Sequence, residues 1–193
     1  MSIVSRAMNM IVSPRSEWAV VAGEPSNVAG IYTSYIIPMA AIGPIAKVIG
    51  TLIFAGGVVP IGTTIIGAVV QYLLAIIIFV PLSAFLAALV AGWFGGVNEF
   101  GRGLKLVAYG STASYVAGIF YIIPVLGLLA LVAAIYGIFI FYTGITPTMN
   151  VPEGRRIGYI IALIIIWVVV FVVIGIISAL ILGGAMMGAA SMQ

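Results

Sequence analysis

Of 193 residues, 64% are hydrophobic and only 6% are charged, with a formal net charge of +3. A soluble domain carries roughly 25% charged residues and must turn much of its surface to water, so this composition excludes one. The small positive balance argues against nucleic acid, and the absence of Cys, His and Asp removes disulfides, thiolate chemistry, His/Cys metal sites and a Ser-His-Asp triad.

Residues 1–28 are a mixed polar and apolar segment, too weakly apolar over Met1–Val12 for a signal peptide. Ile3, Val4, Ala7, Met8 and Ile11 fall on one side of a possible first helix. Ser13-Pro14 reads as a helix start, with Ser at the N-cap and Pro at the first helical position. Trp18 and Val21, three apart, share a face of that second helix. The expectation is a short interfacial N-terminal helix lying on the bilayer surface.

The first span is expected over Ile31–Phe54. Its Pro38 and Pro44 should kink it, leaving carbonyls that neighbouring helices must satisfy. A Gly56-Gly57 and Pro60 turn leads to a second span over Thr63–Ala91, longer than the ~20 residues a crossing needs, with Pro81 or tilt absorbing the excess. Gly92–Gly103 reads as a glycine-rich loop. Residues 105–145 as one straight helix would reach about 61 Å, about twice the hydrocarbon core, so two crossings fit better. Pro124 and Gly127 place the turn at Ile122–Gly127, giving spans over Lys105–Ile123 and Val125–Thr143. A polar loop over Thr146–Arg156 precedes a last span over Ile157–Leu182. The predicted fold is all-α: an integral membrane bundle of five transmembrane helices over 29–183, behind the 1–28 cytoplasmic segment and ahead of a short extracytoplasmic tail, 184–193.

Charge fixes the predicted orientation. Arg6 and Arg15, Arg102 and Lys105, and Arg155 and Arg156 all fall on one side of a five-span chain, as do all four Glu residues. The seventh basic residue, Lys47, lies within a span, and the other side has none. The positive-inside rule then puts the N-terminus in the cytoplasm and the C-terminus outside. A four-span chain would break the pattern.

Ile11-Val12-Ser13-Pro14 followed by Trp18 and Glu24-Pro25 resembles the N-terminal signature of prokaryotic Yip1-domain proteins. Phe94-Gly95-Gly96, Phe100, Leu104-Lys105 and Ala108-Tyr109-Gly110 resemble the approach to that family's third span. Ile123-Pro124, Gly127, Tyr136 and Tyr142-Thr143-Gly144 resemble its fourth, and Pro152 with Arg155-Arg156 the basic stretch before its fifth. Ala113 departs from a proline common at that position. The resemblance implies five transmembrane helices with a cytoplasmic N-terminus, in a prokaryotic cytoplasmic (inner) membrane. Eukaryotic relatives act in vesicle traffic through a long N-terminal region that these 28 residues do not match.

Candidate site residues follow from polarity in apolar surroundings. Lys47 is sixteen residues into the first span, about 24 Å along it, with roughly 10 Å left to the far interface. It either snorkels to that interface or has a buried role against helix-end carbonyls, a lipid phosphate or another anion. Gln71 is read as an interhelical hydrogen-bond donor, or else as a residue of a transport pathway. Asn98, Glu99, Arg102 and Lys105, with Arg155 and Arg156, are candidate contacts to a headgroup or partner, or else solvated topology charges. Tyr109, Ser111, Thr112, Ser114 and Tyr115 form a polar patch at the start of the third span, either interfacial and bonded within its own helix or lining a cavity.

Stripes of small residues (Ala84, Ala88, Gly92 and Gly96; Ala130 and Ala134; Gly184 and Gly188) suit close helix packing within the chain or a dimer face. No phosphate loop, dinucleotide fingerprint, zinc signature or nucleophile elbow occurs. The predicted protein is therefore not an enzyme and takes no cofactor. Its expected partners are the lipid bilayer and either other membrane proteins or a second copy, and not nucleic acid. Its expected work is membrane organisation or protein interaction, with lipid scrambling or small-solute transport through Lys47 as the alternative.

Overall fold

The computed structural model describes residues 2–55, 59–170 and 172–173. The Gly56-Gly57 part of the first turn, the end of the last predicted span, the Gly184/Gly188 pair and the 184–193 tail lie outside the described residues.

The chain opens with two short helices, α1 (Ile3–Val12) and α2 (Pro14–Gly23). Ser13 stands at the N-cap of α2 as its sequence suggests, but its side chain makes no capping bond. Three long apolar helices follow among the described residues: α3 (Val28–Phe54), α4 (Ile61–Trp93) and one over Pro124–Met149, each long enough to cross a bilayer. Between the second and third lies a broken segment, α5 (Phe100–Gly110) and α6 (Thr112–Ala117), which tightens into a 3-10 turn over Gly118–Ile122. A second 3-10 turn, Pro124–Leu126, starts the long α7 (Gly127–Met149). Residues 156–170 form the last described helix, α8. No strand occurs among the described residues.

The prolines act through the backbone. Each of α3 and α4 widens into one π-helical turn, Tyr32–Ile36 and Ala75–Phe79, two residues before Pro38 and Pro81. In α4 the Val80 N–H reaches back to the Ala75 carbonyl, and Pro81 has no N–H to offer. The Ile76 carbonyl thus loses its helical donors, and the Tyr32 hydroxyl donates to it at 3.2 Å. Tyr72 of α4 donates in return to the Ile37 carbonyl at 3.0 Å. The π-helical turns of the two spans are braced against each other, as lipid's lack of donors requires.

Four expectations are corrected. The glycine-rich loop is short, because α4 runs to Trp93 and α5 begins at Phe100. The third predicted span is no single helix but breaks at Ser111. The fourth helix does not stop at Thr143 but continues through Pro147 to Met149. Here Thr143 and Thr148 donate their hydroxyls to the Ile140 and Gly144 carbonyls at 2.8 and 2.6 Å, and Asn150 closes the helix in the left-handed region at φ 56°. Finally, α1 turns Arg6, Ala7 and Met10 inward and leaves Val4, Met8 and Val12 exposed. Arg6 finds carboxylates inside, and this sets the rotation.

Helix α5 is the centre of the bundle: nine of its eleven residues are buried. Its Gly103 touches the Ala84 backbone so closely that a Cβ would overlap the Ala84 carbonyl. The Ala84/Ala88 stripe is therefore used inside the chain. By contrast, between Ile61 and Phe79 only Ala68 is buried, and Ile66, Val69, Val70, Ile77 and Ile78 are exposed. An exposed apolar surface of this extent suits lipid rather than water.

Candidate functional site

Polar side chains gather at the two ends of the bundle. At the first end, α1 and α2 fold back on α5 and α7. Trp18 is fully buried, donates its indole N–H to the Ile140 carbonyl at 2.9 Å, and lies so close to Gly144 that any Cβ there would strike the ring. Tyr136 donates to the Ile11 carbonyl at 2.6 Å.

Beneath these helices sits a buried ionic cluster. Arg6, 8% exposed, pairs with Glu17 at 2.9 Å and with Glu24, and its guanidinium lies 5.5 Å from the Tyr109 ring centre. Asn9 donates to Glu17 at 3.0 Å. Burial works against the Arg6 charge, but the hydrogen bond to Glu24 and the neighbouring negative charges outweigh it and raise the pKa above the ordinary arginine value. Tyr109 stacks edge-on with Tyr35, ring centres 4.6 Å apart, and the Tyr35 hydroxyl shares a 2.6 Å hydrogen bond with Thr112. Thr112 also donates to the Tyr109 carbonyl at 2.5 Å. Both Tyr109 and Thr112 are therefore buried, and neither faces the lipid.

Lys105 is 3% exposed and donates to the Val21 carbonyl at 3.1 Å and to the Glu24 carbonyl. It caps the C-terminal end of α2, where orphan carbonyls and the helix dipole favour a cation. Arg102 bridges Glu99 at 2.9 Å and donates to the Thr148 carbonyl at 3.3 Å. A polar recess of about 90 Å³ lies among Glu24, Ser26, Glu99, Arg102, Lys105 and Thr148. Asn98 is exposed and lies outside it. Arg155 donates to the Phe94 carbonyl at 3.4 Å. Arg156 pairs with Glu153 at 2.5 Å, donates to Thr146 at 2.7 Å and lies over the Tyr142 ring. The Val97 N–H joins the two loops by donating to the Met149 carbonyl at 2.8 Å. The structure thus brings Glu99, Arg102 and Lys105 together, with Arg155 and Arg156 on the adjoining loop.

Arg6, Glu17, Glu24 and Tyr35 are the residues that sequence reasoning missed. A signal was present: Glu17, Val21 and Glu24 recur at helical spacing, so the two acids share the face of an apolar residue.

At the other end, Lys47 and Gln71 are both exposed and line one cavity of about 460 Å³ with Thr51, Tyr121 and Pro124. The Gln71 side chain forms no hydrogen bond to a described residue, so the interhelical bond expected of it is not made there. Between the ends, Ser83, Ser111 and Ser114 line a mostly apolar groove of about 450 Å³ among α4, α5, α7 and α8, with Gly137, Phe141 and Trp167. Ser83 donates to the Phe79 carbonyl at 2.6 Å. Among the described residues no cluster of His, Cys, Asp or Glu could hold a metal ion.

The Yip1 domain matches residues 8–175, and the chain belongs to the Yip1 domain family. Neither the curated proteins nor the solved structures give a match. The family and the three long apolar helices together make this a multi-pass integral membrane protein.

Proposed function

We propose that this Yip1-domain protein is a non-catalytic organiser of a prokaryotic cytoplasmic membrane. It crosses five times, with its N-terminus in the cytoplasm and its C-terminus outside. Its contact surface for another membrane protein or for headgroups is the end formed by α1, α2 and the loops after α4 and α7. The observation that carries this reading is the separation of charge: six of the seven basic residues and every acid gather where those elements meet, and only Lys47 lies elsewhere.

Two further features support it. The broken segment 100–122 has 23 residues, about 34 Å of helix, enough for a crossing despite its break. The outward stripe Val4, Met8 and Val12 on α1 suits a helix resting at the lipid interface.

The chain lacks cysteine, so single cysteines can be labelled cleanly. Impermeant reagent should reach cysteines at Gly57 and Gly188 from outside, and those at Asn98 and Glu153 only after permeabilisation. The reverse pattern would sink the topology. A photo-crosslinker at Asn98 or Glu153 should then capture a partner that one at Val125 does not. Capture from Val125 alone would move the contact surface to the other end.

A transport reading is favoured by the Lys47 cavity and the serine-lined groove among α4, α5, α7 and α8. Under it, reconstituted protein moves fluorescent lipid or small solutes across liposomes, and Lys47→Met abolishes the flux. Unchanged flux in the variant would remove Lys47 from that mechanism.

A further inference from the structure

Lys47 poses a charge problem that the chain does not solve by itself. It lies in the apolar helix α3, seven residues before its end, and its ammonium makes no ion pair or hydrogen bond with a described residue. The protein has four acidic side chains and all are engaged at the other end: Glu17 and Glu24 with Arg6, Glu99 with Arg102, Glu153 with Arg156. The residues outside the description contain no Asp or Glu. A cation in a span normally has a counter-ion, because an unpaired charge in a low-dielectric setting is costly. Among the described residues no carboxylate meets it, which leaves the site open to an anion from outside the chain.

The surroundings are shaped for it. Gly43, Lys47, Gly50 and Phe54 recur at helical spacing and line the same cavity. The Tyr121 ring lies 3.7 Å from where a Cβ of Gly43 would be, and a Cβ at Gly50 would come within 2.6 Å of the Tyr121 carbonyl. The lysine therefore leaves α3 on its protein-facing side, between two points where the 118–122 turn presses on the helix. Gln71 reaches the cavity from α4, and neither its side chain nor that of Tyr121 hydrogen-bonds a described residue. Four side chains with donors and no carboxylate thus share about 460 Å³, within the range of small-molecule sites; Thr51 spends its hydroxyl on the Lys47 carbonyl at 2.9 Å, and Lys47, Gln71 and Tyr121 remain.

We infer that this cavity binds a phosphate group, with Lys47 as the charge and Gln71 and Tyr121 as neutral donors. Lys47 is roughly 10 Å along the helix from the end of α3, near enough for its stem to bring the ammonium to the phosphate layer of a bilayer. A lysine recognises phosphate as a point charge, so the site tolerates different groups attached to that phosphate. The inference rests on α3 being membrane-embedded and not on the choice between organiser and transporter. Cysteine labelling tests the topology separately, so the two can fail independently.

The experiment uses the purified full chain in a maltoside detergent and phosphate-free buffer. Dihexanoyl phosphatidylglycerol, dihexanoylglycerol and inorganic phosphate are each titrated while thermal unfolding is followed. The phospholipid should stabilise the wild type and the headgroup-free diacylglycerol should not. Lys47→Met should weaken the phospholipid effect by about tenfold or more, Lys47→Arg should keep it, and Gln71→Leu should weaken it about threefold. Stabilisation by phospholipid far below the phosphate concentration needed identifies a headgroup as the source. Equal potency identifies free phosphate at the same site.

Without ligand, Lys47→Met should unfold no more easily than the wild type, because it removes a charge with no partner. Equal phospholipid stabilisation of wild type and Lys47→Met would overturn the inference. So would the absence of any stabilisation, or a ligand-free Lys47→Met that unfolds well below the wild type.

Discussion

The chain has two lysines, one at each end of the bundle, and their surroundings are opposite. Lys105 is 3% exposed on the central helix, and its ammonium is satisfied by backbone carbonyls at the end of α2. Lys47 is exposed in a cavity whose other polar groups are neutral. The first end is closed by its own residues: cations meet carboxylates or carbonyls, and Trp18 fills the space above Gly144. The second is open, and none of its described side chains is an anion. The difference separates charge used to hold a membrane protein together from charge left for something outside it.

If the first end is structural, the largest loss should come from Arg6→Met, which leaves Glu17 buried without its cation. The expected cost is about 4 kcal/mol, read as unfolding free energy in detergent. The double variant Arg6→Met, Glu17→Met should recover most of it, since an apolar pair of similar volume replaces a buried ion pair at little cost. A double variant as unstable as the single would show that the pair does more than neutralise itself.

Trp18→Ala should cost about 3 kcal/mol, through the space vacated against Gly144 and the lost bond to the Ile140 carbonyl. It should also release α2, so protease should cut near Gly23 much faster than in the wild type. Tyr35→Phe should cost about 1 kcal/mol, the hydrogen bond to Thr112, and leave the aromatic stack in place. At the open end the expected effect on ligand-free stability is smallest. Lys47→Met should be neutral or slightly stabilising, and a large loss there would erase the contrast between the ends.

Part of this was readable from the residues alone. Composition demanded a bilayer, and Pro38 and Pro81 marked where two helices would be perturbed, whereas Pro44, also expected to kink the first span, sits in uninterrupted α-helix. The ordered motifs from Ser13-Pro14 to Arg155-Arg156 pointed to the Yip1 family, which the match over 8–175 establishes. The side-by-side placement of Arg102, Lys105, Arg155 and Arg156 was also foreseen from loop charges. What they do was not: Lys105 read as a loop cation and is a helix cap.

The reason lies in the solvent. In water an amphipathic pattern marks the face a helix buries, but lipid is as apolar as a protein core, so hydropathy cannot separate lipid-facing from buried positions. Helix α4 over 61–79 and helix α5 illustrate it, the first with Ala68 alone buried and the second almost wholly buried. Sequence by itself determined the all-helical membrane class, the family, two proline-perturbed positions and the asymmetry of charge, because each depends on composition or local chemistry. Only the tertiary structure decided that Arg6, Glu17 and Glu24 form one cluster and that Lys47 shares its cavity with Gln71 and Tyr121. Those groupings join side chains up to seventy-four residues apart, and only the packing of the helices brings them together.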